Sequence, residues 1–146
     1  MKEEFEWIQT WCDHTDKKDL PRVLFVGDSI TRAYYEDVRN KLGGKCYADY
    51  IATSYAVDSK IYTDVTAGLA ADSDYALIHF NHGLHGMHMT DKVYGEGIEK
   101  LLKEIGKNRK VILATSTIVK ESGNERIDYK QTGIILRRNE IVRHIA

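Results

Sequence analysis

Four short apolar runs, each followed by a segment with helical periodicity, constrain this chain more than any other feature. The runs lie at residues 23–26, 47–51, 75–80 and 110–115. A continuous apolar run of this length suits a strand buried on both faces, as in a parallel sheet. The intervening segments read as helices at residues 30–42, 61–69, 91–105 and 134–144. Gly43-Gly44 stops the first of them, and Gly106 stops the third. Thr90 is the expected N-cap of the third, whose apolar face carries Val93, Tyr94, Ile98, Leu101, Leu102 and Ile105. A further helix is predicted over residues 3–13, because Phe5, Ile8, Trp11 and Cys12 recur at helical spacing. A polar stretch then leads to Pro21, and residues 122–124 read as a loop. Strands alternating with helices imply a parallel sheet covered on both faces, a three-layer α/β/α domain over residues 1–146.

Sheets of this kind bind ligands beyond the carboxyl ends of their strands. Three segments would sit there: Gly27-Asp28-Ser29, Thr53-Ser54-Tyr55, and the stretch from Asn81 to His88. The unusual residues of the chain therefore fall where the architecture places active sites.

Composition excludes several function classes. The 146 residues carry a net charge of -1, with 29% charged residues, a balance that gives no electrostatic case for nucleic acid, where a basic face is expected. The apolar runs are far too short for a membrane span. The acidic N-terminus, Met1 to Glu6, lacks the order of a signal peptide. Cys12 and Cys46 form neither a disulfide framework nor a metal-type spacing. A cytoplasmic protein with reduced thiols is the expectation.

Ser29 follows a buried strand and opens a helix. There it faces unpaired backbone N–H groups and the positive end of the helix dipole. Such donors can stabilise the oxyanion formed when a serine attacks an ester carbonyl. Serine is also a leading helix cap, and composition leaves both readings open. Asn81 can donate a side-chain hydrogen bond to developing negative charge, or can simply bond its own backbone in a turn. His79, His82, His85 and His88 recur every third residue. Imidazole suits transition metals, but Gly83 and Gly86 interrupt any regular helical presentation. His79 is expected to face into the sheet.

These residues carry a family resemblance. Val-Gly-Asp-Ser-Ile-Thr at residues 26–31 resembles the first block of the GDSL, or SGNH, hydrolases. Asn-His-Gly-Leu-His-Gly at residues 81–86 is similar to the third block of a subgroup that reads Asn-Asn-Gly-Leu-His-Gly. Thr53-Ser54 falls where the second block follows its strand. The resemblance spans about residues 22–118 and keeps the blocks in order. It implies a flavodoxin-like SGNH hydrolase fold with Ser29 as nucleophile. It also implies an oxyanion hole built from the Ser29 backbone, the Asn81 side chain and the Ser54 backbone, in place of the usual second-block glycine. Asp28 would shape the turn.

The last thirty residues contain no Asp-x-x-His, the block that supplies the family's general base, and His144 is the only histidine there. The expected fold therefore lacks its last strand and helix. Acyl transfer by a serine needs a proton acceptor. His85 is the local candidate, and reduced activity is the expected consequence. An exposed sheet edge invites association, so a homodimer is expected. The implied substrate is a small-molecule or carbohydrate ester, with no cofactor. The alternative is a non-catalytic ligand- or carbohydrate-binding protein that keeps the pocket. A metal site at His82, His85 and His88 ranks lower. So does a flavodoxin-like nucleotide binder, because no Gly-x-Gly-x-x-Gly follows the first strand.

Overall fold

The computed structural model describes residues 4–123 and 125–146. The chain forms β1 (Ile8–Trp11), β2 (Arg22–Gly27), α1 (Ser29–Leu42), β3 (Tyr47–Thr53), α2 (Lys60–Asp72), β4 (Tyr75–Phe80), α3 (Asp91–Ile105), β5 (Lys110–Leu113) and α4 (Tyr129–Ile145). The sheet order is β1-β3-β2-β4-β5. β3, β2, β4 and β5 run parallel, so the expected parallel α/β sheet is present.

The N-terminal segment departs from expectation. Residues 8–11 form a strand, not part of a helix, and pair antiparallel with β3 from Ile8↔Thr53 to Trp11↔Tyr50. Glu3, the expected first residue of that helix, lies outside the described residues, as does Asn124 of the expected 122–124 loop. The helical spacing was misleading because those side chains do not share a buried face. Phe5 and Trp11 are exposed, while Ile8 and Trp7 pack into opposite layers. Backbone pairing with an edge that would otherwise be free outweighs a weak local propensity. The last helix begins five residues before the expected Ile134, at Tyr129, because Asp128 caps it by accepting from the Gln131 N–H at 2.9 Å.

The two faces of β2 feed two cores. Leu24 and Val26 join Ile51, Ile78 and Phe80 beneath α2, α3 and α4, where Tyr62, Tyr94, Ile98 and Leu101 close the layer. Phe25 joins Tyr50 and Ala52 beneath α1, packed by Tyr34, Tyr35 and Val38. This alternation along one strand is the period-2 geometry of a sheet buried on both sides. The α1 layer does not extend over the whole sheet. His79 and Ile112 are register partners on the α1 side, and Ile112 is 48% exposed. β5 forms the second edge of the sheet.

A buried polar network anchors the opposite end of the sheet from the candidate site. Arg22 in β2 donates to both carboxylate oxygens of Asp49 in β3, at 2.8 and 3.0 Å. The hydroxyl of Tyr75 and the Asp13 N–H also donate to Asp49, each at 2.8 Å. No helix among the described residues is long and apolar enough to cross a membrane.

Candidate functional site

β2 is the central strand, with β3 on one side and β4 on the other. Its carboxyl end is therefore the point where strand order reverses, the usual place for a crevice. Gly27 makes the sharp turn into α1. A Cβ built there would lie 2.0 Å from Thr31 Oγ1 and 2.6 Å from the Asn81 carbonyl oxygen. Only glycine lets the three segments approach this closely.

Asp28 follows and caps α1, its Oδ1 accepting from the Ile30 N–H at 2.9 Å. The residue is fully buried, and desolvation raises its pKa against the lowering pull of the Ile30, Leu84 and Thr31 N–H groups and of nearby His85. The other Asp28 oxygen, Oδ2, is buried with no hydrogen-bond partner among the described residues. Ser29 is the first residue of α1 and is half-buried. Arg32, one turn on, is exposed, with its guanidinium stacked 4.6 Å from the Trp7 ring.

The other expected site residues are nearby but otherwise engaged. Asn81 is buried, and its Nδ2 donates to the carbonyls of Ala114 and Thr115, at 3.0 and 2.9 Å. Both amide hydrogens are thereby directed at the segment after β5, and Oδ1 is buried with no partner among the described residues. The Ser54 N–H donates to the Trp7 carbonyl at 3.1 Å. Its hydroxyl donates to Glu6 Oε2 at 2.7 Å and accepts from the Trp7 N–H at 2.9 Å. The segment leading into β1, which sequence reasoning treated as helix, is what occupies Ser54.

The four histidines diverge. His79 lies against Phe25 and Tyr34 on the α1 side of the sheet. His82 is fully buried and stacks on Tyr62 with ring centroids 4.8 Å apart. Burial, then the charges of His85 and Arg138, lower its pKa to about 3. The ring of His85 is 6.2 Å from that of His82. His88 Nε2 meets Asp58 Oδ2 at 2.7 Å and so bridges the loops after β4 and β3. Among the described residues, no group of three or more His, Cys, Asp and Glu side chains is placed to hold a metal ion.

His82 has a consequence for acid stability. Its folded pKa lies below the unfolded value, so the unfolded chain binds the proton more readily. The native state is therefore favoured at neutral pH and loses stability as pH falls below about 6.5, by up to about 1.4 kcal/mol per pH unit. Urea denaturation at pH 7.0 and 5.5 should show this loss, and a His82→Gln variant should show a smaller one.

The loops after β3 and β4 enclose a cleft of about 500 Å³, lined by Glu6, Ser54, Tyr55, Asp58, Gly86 and His88 among others. Its wall is supported by a residue that sequence reasoning missed. Arg138 in α4 is 1% exposed and donates to the carbonyls of Gly83, His85 and Gly86, at 2.9, 2.7 and 2.6 Å. The Tyr94 ring covers its guanidinium at 4.6 Å, and the Tyr94 hydroxyl donates to the His82 carbonyl at 2.8 Å. A signal was available in the sequence. Arg138 and Asn139 interrupt the apolar helical stripe that runs from Ile135 to Val142.

No protein-family model matches this sequence, and no curated relative does. Among solved structures, the fold is similar to the crystal structure of a lipase/acylhydrolase from Enterococcus faecalis. The TM-score is 0.62 at 14% identity, covering 86% of this chain and 71% of that one. The likeness is one of fold: a mixed α/β domain with a mostly parallel five-stranded sheet.

Proposed function

We propose that this chain is an ester hydrolase of the GDSL/SGNH kind that acts through Ser29. The observation that carries this reading is the position of Ser29. It opens α1 at the carboxyl end of the central strand, behind a glycine whose Cβ would collide with Thr31 and Asn81, in a fold shared with a lipase/acylhydrolase. The helix N-terminus supplies backbone N–H groups and a positive dipole end to an oxyanion formed there.

In this reading Ser29 Oγ attacks the ester carbonyl carbon, and its proton passes to a nearby base. The leaving alcohol takes a proton, and water then releases the acid from the acyl-enzyme. His85 is the base we assign. It lies in the loop after β4, whose first residue, Asn81, donates its N–H to the Val26 carbonyl at 2.9 Å. The substrate is a small acyl or acetyl ester, including esters on a carbohydrate.

The test is hydrolysis of p-nitrophenyl acetate by the wild-type chain, Ser29→Ala and His85→Ala. Activity that drops to background in both variants supports the reading. Equal rates in wild type and Ser29→Ala would overturn it. If His88→Ala alone abolishes activity, the base belongs to the Asp58–His88 pair instead.

A second reading is favoured by one specific observation. The Asn81 amide and the Ser54 N–H are both committed to protein carbonyls. A pocket with its expected oxyanion donors engaged fits a protein that binds an ester or sugar without turning it over. Saturable binding of a substrate that is recovered intact would support that reading.

A further inference from the structure

β5 stands last in the sheet order, so it has a strand partner on one side only. It runs parallel to β4, and the Ala114 N–H just past its end donates to the Phe80 carbonyl at 2.8 Å. Successive residues of a strand direct their backbone groups to opposite sides. Ile112 therefore bonds inward like Ala114, and Val111 and Leu113 direct their N–H and C=O groups away from β4. An open row of donors and acceptors is a template for another strand, which natural edges blunt with charges, proline or a bulge. β5 carries one charge, Lys110 at its first residue, and the single proline of the chain is Pro21.

Apolar side chains flank this edge. Ile112 is half-exposed on the α1 side. On the other side, Asn139 of α4 exchanges two hydrogen bonds with the Ser116 backbone, three residues beyond β5, at 2.8 and 2.9 Å. Leu136, one turn before Asn139 on the same face of α4, is 54% exposed. Among the described residues, nine large hydrophobic side chains are exposed. Four of them, Ile112, Ile118, Tyr129 and Leu136, belong to β5, α4 and the connection between the two. Exposed apolar residues scattered singly need no explanation, whereas such a concentration marks an interaction surface.

We propose that this chain forms a two-fold homodimer through β5, joining two five-stranded sheets into one continuous sheet. The edge is self-complementary. A two-fold axis at Ile112 sets that residue against the partner's Ile112 in an antiparallel ladder, an isologous contact. Val111 then exchanges its backbone bonds with the partner's Leu113, and Lys110 falls opposite the partner's Ala114. No like charges are opposed in this register, and a net charge of -1 gives two copies no long-range repulsion. Four residues of ladder bury too little for a stable interface, so the exposed side chains of α4 and of its connection to β5 complete the contact.

Sedimentation velocity across micromolar concentrations should give twice the 16.7 kDa mass of one chain. Ile112→Lys and Leu136→Lys should each raise the dimer dissociation constant about 30-fold, the effect of losing an interface hot spot. Ile61→Lys changes an equally exposed residue on α2 and should leave the dimer intact. Circular dichroism should be the same for all three variants. The register has its own test, in a Cys12→Ser/Cys46→Ser background. Ile112→Cys should form a disulfide-linked dimer on mild oxidation, because residues directly opposite in an antiparallel pair hold their Cβ atoms about 4.5–5.5 Å apart. Lys110→Cys, displaced from the axis, should not. A single-chain mass at every concentration overturns the proposal and leaves the edge to a different occupant. So does a dimer that survives both Ile112→Lys and Leu136→Lys, or one that is linked through Lys110→Cys and not through Ile112→Cys.

Discussion

Asp49→Ala is expected to destabilise the protein by about 3–5 kcal/mol, the range for removing one partner of a buried ion pair. The Asp49 side chain is 1% exposed and that of Arg22 is 9% exposed. Loss of the carboxylate leaves the guanidinium, among the described residues, with the Asp13 and His14 carbonyls at 2.7 and 2.9 Å and the face of the Tyr47 ring at 5.2 Å. It also strips the Tyr75 hydroxyl and the Asp13 N–H of their acceptor. A domain of this size is stable by only about 5–15 kcal/mol, so the variant should sit near the edge of folding. Urea denaturation followed by circular dichroism measures this directly. The midpoint should fall steeply while the slope stays constant. A loss below about 1 kcal/mol would give this pair the small weight of a surface salt bridge. Asp49→Asn keeps an acceptor and should cost less.

Gly27→Ala is expected to damage both stability and activity. The new methyl would meet Thr31 Oγ1 at 2.0 Å, Asn81 O at 2.6 Å and Thr31 Cβ at 2.8 Å. Thr31 is fully buried and the Asn81 contact is backbone, so neither neighbour can swing aside cheaply. Overpacking of this kind costs about 1–3 kcal/mol. The effect on the site should be larger, because Ser29 is two residues away. A displacement of about 1 Å there can reduce turnover about 100-fold. The double variant Gly27→Ala/Thr31→Ala relieves the threonine contacts and leaves the carbonyl contact, so it should recover stability only in part. A Gly27→Ala protein with wild-type Tm and turnover would show that the turn is looser than its contacts imply.

Both variants act on features with different visibility in the sequence. The turn at Gly27-Asp28-Ser29 was legible because glycine after a buried apolar run has few other uses. The Arg22–Asp49 pair was not. One strand and one helix separate the two residues in the chain, and only parallel pairing of β2 with β3 places Leu24 opposite Asp49 and brings Arg22 within reach. Long-range polar contacts leave no periodic trace.

The central strands and the four helices followed from hydrophobic periodicity, which depends on each residue's neighbours in sequence. β1 was misread because its pairing partners are about forty residues away, and an edge strand needs no strong pattern of its own. Ser29, Asn81, Ser54 and His85 could be named from local motif and position. What each is free to do could not. The β1 approach determines that the Ser54 N–H is used, the segment after β5 determines that the Asn81 amide is used, and α4 determines which way the 83–87 peptides face. The sequence alone determined the order of the parallel strands and the four helices and the place of Ser29 at the start of α1, because local pattern and turn chemistry encode them. Tertiary structure alone decided which donors remain available to a ligand, because a hydrogen bond is committed only when distant segments of chain meet.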